Sequence, residues 1–294
     1  MRFVGSFVLG ALIIVPWFST ASGQTGSDIF LVRIERSAGV YRAVGEPVNI
    51  TSRPGYDNQP HFEPDRGSVL FTSDRDGDTD IYRYEMRSRR TIQLTKTSEN
   101  EYSPTVTPDG RGFTVIRGAQ QFLERFTREG RDPEIVIRGI TPVGYHAWAD
   151  DETLLLFVLG QPITLQRASA RTGKSDTVFN APGRSLHRIP GRHAVSAIQS
   201  RGENAFWIVA YDLDSRQVAP IARTVAGSND RDMAWTPDGV IVMTAGNSIY
   251  QLDPLRDSEW RLLGTFGTPG MHRLTRIAVS PRGDWLAVVG DEAP

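Results

Sequence analysis

Five histidines, at positions 61, 146, 187, 193 and 272, are the only imidazoles in a chain that has no cysteine. Disulfides, thiolate nucleophiles and cysteine metal ligands are therefore excluded. A nucleophilic enzyme needs a base beside its nucleophile, and Gly-x-Ser-x-Gly or His-Glu-x-x-His would announce such machinery. Neither motif occurs, and there is no Walker-type phosphate loop. The segment best suited to a hard cation is Asp74-Arg75-Asp76-Gly77-Asp78-Thr79-Asp80, where carboxylates alternate on a glycine-containing loop. Its sixth position is Thr79, where a calcium-binding EF-hand loop turns on glycine, and Asp80-Ile81-Tyr82 reads as the start of a strand. The expectation is no cofactor, with calcium at this loop as an alternative; zinc on His146 and His187, assisted by Glu101 or Asp232, is a further one. Arg83, Arg87, Arg89 and Arg90 straddle a strand and its turn and read as a solvated edge.

These residues are positioned by a repeat. An apolar anchor, a small or acidic residue, a Pro-Asp-Gly-type turn and an apolar run recur along the chain. The clearest copies are Phe62-Glu63-Pro64-Asp65, Val106-Thr107-Pro108-Asp109-Gly110 and Trp235-Thr236-Pro237-Asp238-Gly239. Degenerate copies are Trp148-Ala149-Asp150-Asp151, Ile189-Pro190-Gly191 and Val279-Ser280-Pro281-Arg282-Gly283. The six anchors lie 41 to 46 residues apart, the period of a four-stranded propeller blade. Runs such as Leu154-Leu155-Leu156-Phe157-Val158 and Val240-Ile241-Val242-Met243 are strand-length and apolar on both faces, as a sheet sandwiched between neighbours requires. In each turn, proline pre-sets φ, aspartate can bond its own backbone and glycine accepts positive φ.

The ends complete the pattern. Only two strands can follow the sixth anchor, while Asp28–Val32 and Tyr41–Ile50 resemble the third and fourth strands of a unit. The expected fold is therefore all-β: a six-bladed propeller of four-stranded antiparallel blades, its ring closed by terminal strands sharing one blade. It occupies residues 24–294. Residues 1–23 read as a cleaved signal peptide: Arg2, an apolar run from Phe3 to Phe18 too short to span a bilayer, then small residues from Ser19. The expected location is periplasmic or secreted, without stable membrane insertion. A net charge of −1 provides no general attraction to nucleic acid.

Aligning the repeats sets equivalent residues side by side at the mouth of the central channel. His146 and His187 stand two places before their anchors, on adjacent blades, with Pro60, Pro104, Met233 and Ile277 equivalent to them. Asp57, Asn58, Glu101, Tyr102, Tyr145, Arg231, Asp232 and Arg276 stand nearby, with Arg184. A polar funnel with both charge signs and two tyrosines suits a small polar ligand or a protein segment.

Pro60-His61-Phe62-Glu63-Pro64-Asp65 followed by Ser73-Asp74-Arg75-Asp76-Gly77-Asp78-Thr79-Asp80-Ile81-Tyr82 resembles the bacterial WD40-like (PD40) repeat of the TolB propeller. It also resembles the propellers of tricorn-type and dipeptidyl-peptidase-type proteins. The resemblance spans about residues 28–290. It implies a six-bladed propeller in the periplasm. The length leaves no room for TolB's additional α/β domain or the peptidases' hydrolase domain. A monomeric binding scaffold of the cell envelope, recognising a protein or small polar ligand, is the reading that follows. The alternative is a metal-dependent hydrolase or lyase acting at the channel mouth.

Overall fold

Residues 26–64, 67–75, 77–202, 205–228 and 232–291 are described by a computed structural model of the chain. The sequence-predicted leader lies outside the described residues. Those described form six four-stranded antiparallel sheets and no helix. The first blade runs outward from the channel as Asp57–Glu63, Ser68–Asp74, Thr79–Glu85 and Arg90–Gln93. The next four begin with the inner strands Glu101–Val106, Val143–Trp148, Pro182–Arg188 and Met233–Trp235. In the sixth, Leu274–Val279 and Trp285–Asp291 are completed by Ser27–Ser37 and Val40–Asn49. Closure by shared terminal strands is thus present, with Phe30 opposite Val288 and Leu31 opposite Ala287.

The repeated turn is built alike in its two best copies. Thr107 donates to Asp109 Oδ1 (2.6 Å) and accepts from the Gly112 amide (3.1 Å). Thr236 repeats this with Asp238 (2.6 Å) and the Val240 amide (3.0 Å). Gly110 and Gly239 take φ of 65° and 86°, where a Cβ would be strained.

Blades are held face to face by side chains alternating along each strand. Ile29 and Leu31 pack with Val69, Phe71 and Tyr82 of the first blade, whereas Phe30, Val32 and Ile34 pack with Val240, Val242 and Ile249 of the fifth. A polar clamp adds to the second contact. The Tyr41 amide donates to Gln251 Oε1 (2.8 Å), and Gln251 Nε2 donates back to the Tyr41 carbonyl (2.6 Å). The anchor tryptophans bridge blades as well: Trp148 Nε1 donates to Thr114 (3.1 Å) and Trp235 Nε1 to Ser196 (2.9 Å).

The arginine cluster divides. Arg87, Arg89 and Arg90 are exposed, but Arg83 is buried, correcting the expectation of a solvated edge. Its guanidinium grips Glu63 through Nε (2.6 Å) and a terminal nitrogen (3.1 Å), and donates to the Arg128 carbonyl of the second blade. Ser68 donates to the same carboxylate at 2.7 Å. Removing one partner of a buried pair strands the other charge. Arg83→Ala should therefore cost about 3–5 kcal/mol, and a Glu63→Leu/Arg83→Met double variant should recover most of it. Urea midpoints of the three proteins check this; a double variant no more stable than Arg83→Ala would contradict it.

Candidate functional site

The inner strands are not regular. Their ladders slip between Asn58 and His61, Tyr102 and Thr105, Val143 and Tyr145, Pro182 and Leu186, and Leu274 and Ile277. Gln59 and Ser103 each sit at φ 56°, in the left-handed region. Such bulges bend the strand and re-aim side chains. Gln59 then staples the first blade to the second: its Oε1 accepts from the Ser103 amide (2.7 Å) and the Thr72 hydroxyl (3.0 Å).

The result is a continuous funnel. A channel of about 310 Å³ is lined by His61, His146 and His187 among apolar Pro60, Pro104, Met233 and Ile277. It meets a wider opening of about 460 Å³ bordered by Tyr56, Asn58, Tyr102, Tyr145, Arg184 and Arg276. Gln59, Tyr145, Arg184 and Arg276 line both.

At the junction two guanidiniums share one carboxylate. Asp232, 3% exposed, accepts from Arg184 Nε at 3.1 Å and from a terminal nitrogen at 2.5 Å. Arg276 approaches Asp232 Oδ1 at 3.5 Å, donates to the Tyr145 hydroxyl at 3.0 Å, and lies 4.9 Å from that ring's centroid. Arg273, also at the opening, is paired with Asp291. Burial pushes the Tyr56 phenol up to about 12 despite Arg276 nearby, so it stays a protonated donor.

Deeper in, burial pushes His61 down to about 4, His146 to about 3 and His187 to about 4. Repulsion from His187 contributes at His61, and from His61 at His146, so all three imidazoles are neutral at pH 7. His146 Nε2 lies 2.7 Å from the Thr114 hydroxyl, while its buried Nδ1 has no hydrogen-bond partner. Among the described residues, no three His, Asp or Glu side chains are grouped to hold a metal ion.

Of the residues expected from the sequence, Asn58, Tyr102, Tyr145, His146, His187, Asp232 and Arg276 line the channel or its opening. Asp57 and Glu101 do not line either cavity and turn into their blades. Asp57 accepts from Ser73 (2.5 Å) and Arg53 (3.2 Å). Glu101 accepts from Thr97 (3.0 Å) and stands 3.4 Å from Arg117. Both open their inner strands opposite Ser73 and Arg117, so their side chains are taken up by cross-strand partners. Arg231 lies outside the described residues. His61 and Tyr56 were not anticipated; the bulge turns His61 toward the channel, and only the changed alternation beside Pro60 could have signalled it. In the loop considered for calcium, Asp80 accepts from Gln93 (3.0 Å) and the Thr97 amide (3.1 Å), which directs its carboxylate to the outer strand.

No protein-family model matches the chain, and the comparison with curated proteins finds no match. Solved structures do match. A protein assigned as TolB from Agrobacterium tumefaciens superposes with a TM-score of 0.68 at 16% identity, covering 92% of this chain and 100% of that one. TolB from Acinetobacter baumannii gives 0.56 at 14% identity over 91% of this chain. The fold is that of the TolB-like six-bladed propeller. The chain spans 65% of the length of the Acinetobacter protein. The TolB-like fold is shared further: an oligogalacturonate lyase in complex with manganese gives 0.54 at 12% identity, covering 92% of this chain and 98% of that one. Among the described residues, no helix is long and apolar enough to cross a membrane.

Proposed function

We propose that the protein is a binding propeller of the bacterial cell envelope, exported by the leader at 1–23, that engages a protein or small polar ligand at its channel mouth. The carrying observation is the donor-rich opening: Arg184 and Arg276 set on buried Asp232, beside Tyr56, Tyr102 and Tyr145. The buried carboxylate and the Tyr145 ring hold these groups before any ligand arrives, which lowers the entropy lost on binding. The resemblance to the TolB propeller supports the envelope as the setting.

Immobilised residues 24–294 should capture a specific envelope component, and a Tyr145→Ala/Arg276→Ala variant of unchanged melting temperature should lose it. Equal capture by both proteins would count against the mouth. The particle should behave as a monomer in light scattering.

A second reading is a propeller enzyme. The structural likeness to the oligogalacturonate lyase in complex with manganese supports it, while the three channel imidazoles, held far below 6.5 by burial, would be weak general bases at pH 7. They form no metal-holding group as they stand, so no metal-assisted step is assigned to them. Metal analysis, with turnover assays of His146→Ala and His187→Ala on lactone, sugar and peptide panels, separates this reading from the first.

A further inference from the structure

Resting on the reading of the mouth as a binding site, we propose that its ligand is a small organic carboxylate. The carboxylate would sit at the Arg184–Arg276 rim, and a largely apolar body would enter the channel.

The charge at the rim selects the head group. Among the described residues, Arg184, Arg273 and Arg276 face Asp232 and Asp291 there, so arginines outnumber carboxylates. Asp232 is buried beneath two of these guanidiniums and holds them in place. The surrounding phenols, with Tyr56 kept protonated, add donors. A planar anionic acceptor matches such a set, since guanidinium forks recognise carboxylates by geometry as well as charge. An ammonium would meet like charge.

The channel selects the body. Beneath the rim, neutral histidines line the channel with Pro60, Pro104, Met233 and Ile277, and Arg188 also stands on its wall. A cationic group would be desolvated there without a counter-charge. Apolar surface would be buried favourably. A volume of about 310 Å³ admits a body of several carbon atoms but not a folded domain.

Hexanoate, hexanol, hexylamine, hexyl phosphate and acetate provide a matched set of probes for titration calorimetry and saturation-transfer NMR. Hexanoate should bind about tenfold or more tighter than hexanol, the effect of one charge-assisted contact. It should also bind tighter than acetate, and hexylamine should not bind. Arg276→Gln should weaken hexanoate about tenfold and leave hexanol unchanged. Arg276→Lys retains the charge and should lie between, and circular dichroism verifies both folds. Equal binding of hexanoate and hexanol, hexanoate affinity insensitive to Arg276→Gln, or tighter binding of hexyl phosphate would each overturn the proposal. Capture of an envelope component that still depends on Tyr145 and Arg276 would then leave the wider binding function standing. Loss of that dependence with hexanoate selectivity intact would do the reverse.

Discussion

A chain lacking residues 24–52 should yield no folded monomer. The deletion removes Ser27–Ser37 and Val40–Asn49, two of the four strands of the closing blade. Strand Ser27–Ser37 alone buries Ile29, Phe30, Leu31, Val32 and Ile34 to within 4% of full burial, on two different neighbours. At about 1.5–3 kcal/mol per side chain this is roughly 10 kcal/mol, comparable to the whole net stability of a domain. The loss also bares the edge of Trp285–Asp291, whose partner is gone, and an unpaired apolar edge invites aggregation. Size-exclusion chromatography and calorimetry decide the point. A truncated protein that elutes as a monomer and melts within about 5 °C of the full chain would refute ring closure as the source of stability.

Acid should destabilise the propeller well before ordinary carboxylates titrate. His61, His146 and His187 are all held far below the usual 6.5, at about 4, 3 and 4, chiefly by burial. The unfolded chain therefore binds protons on these histidines near pH 6.5 that the folded chain refuses until about pH 4. Their stabilisation is complete above 6.5 and declines as pH falls from there. Glu101, pushed up to about 7 by burial, acts in the opposite sense between its unfolded value and 7, and Asp57, also raised by burial, opposes at lower pH. His193, exposed beside Asp214 and Asp150, is raised, but solvent screens its contribution. At least one net proton then separates the two states. The expected loss is about 1.4 kcal/mol per pH unit or more between pH 6.5 and 4.5. Urea titrations at half-unit steps measure that slope. A His146→Gln/His187→Gln variant should flatten it, and a wild-type stability constant over this interval would contradict the neutral channel.

The spacing of the repeat carried most of the architecture. Phe62, Val106, Trp148, Trp235 and Val279 each fall on an inner strand, and Ile189 directly follows one. The pairing of Asp28–Val32 with the last strand was readable because each stretch is half of the same motif. Side-chain direction was less accessible. Counting back from an anchor assumes strict alternation, and the bulges at Gln59 and Ser103 break it. That is why His61 was missed while Asp57 and Glu101 were assigned to the mouth. Arg83 was misread for a different reason. Its counter-charge, Glu63, belongs to the repeat's acidic position next to the anchor, where the residue reads as turn chemistry instead of an ion-pair partner.

The pairing of Ser27–Ser37 with Trp285–Asp291 also sets a timetable for the nascent chain. The hairpin of Ser27–Ser37 and Val40–Asn49 cannot find its sheet until Trp285–Asp291 has been made, a delay on the order of 15–50 s at common synthesis rates. Five complete meanders can condense in the meantime, each from local segments, and form an open arc with one bare flank. The slow event is then a single capture between strands separated by the whole ring, the type of contact that retards folding most. During that interval the waiting hairpin, with its apolar residues uncovered, is the part of the molecule most in need of a holding chaperone.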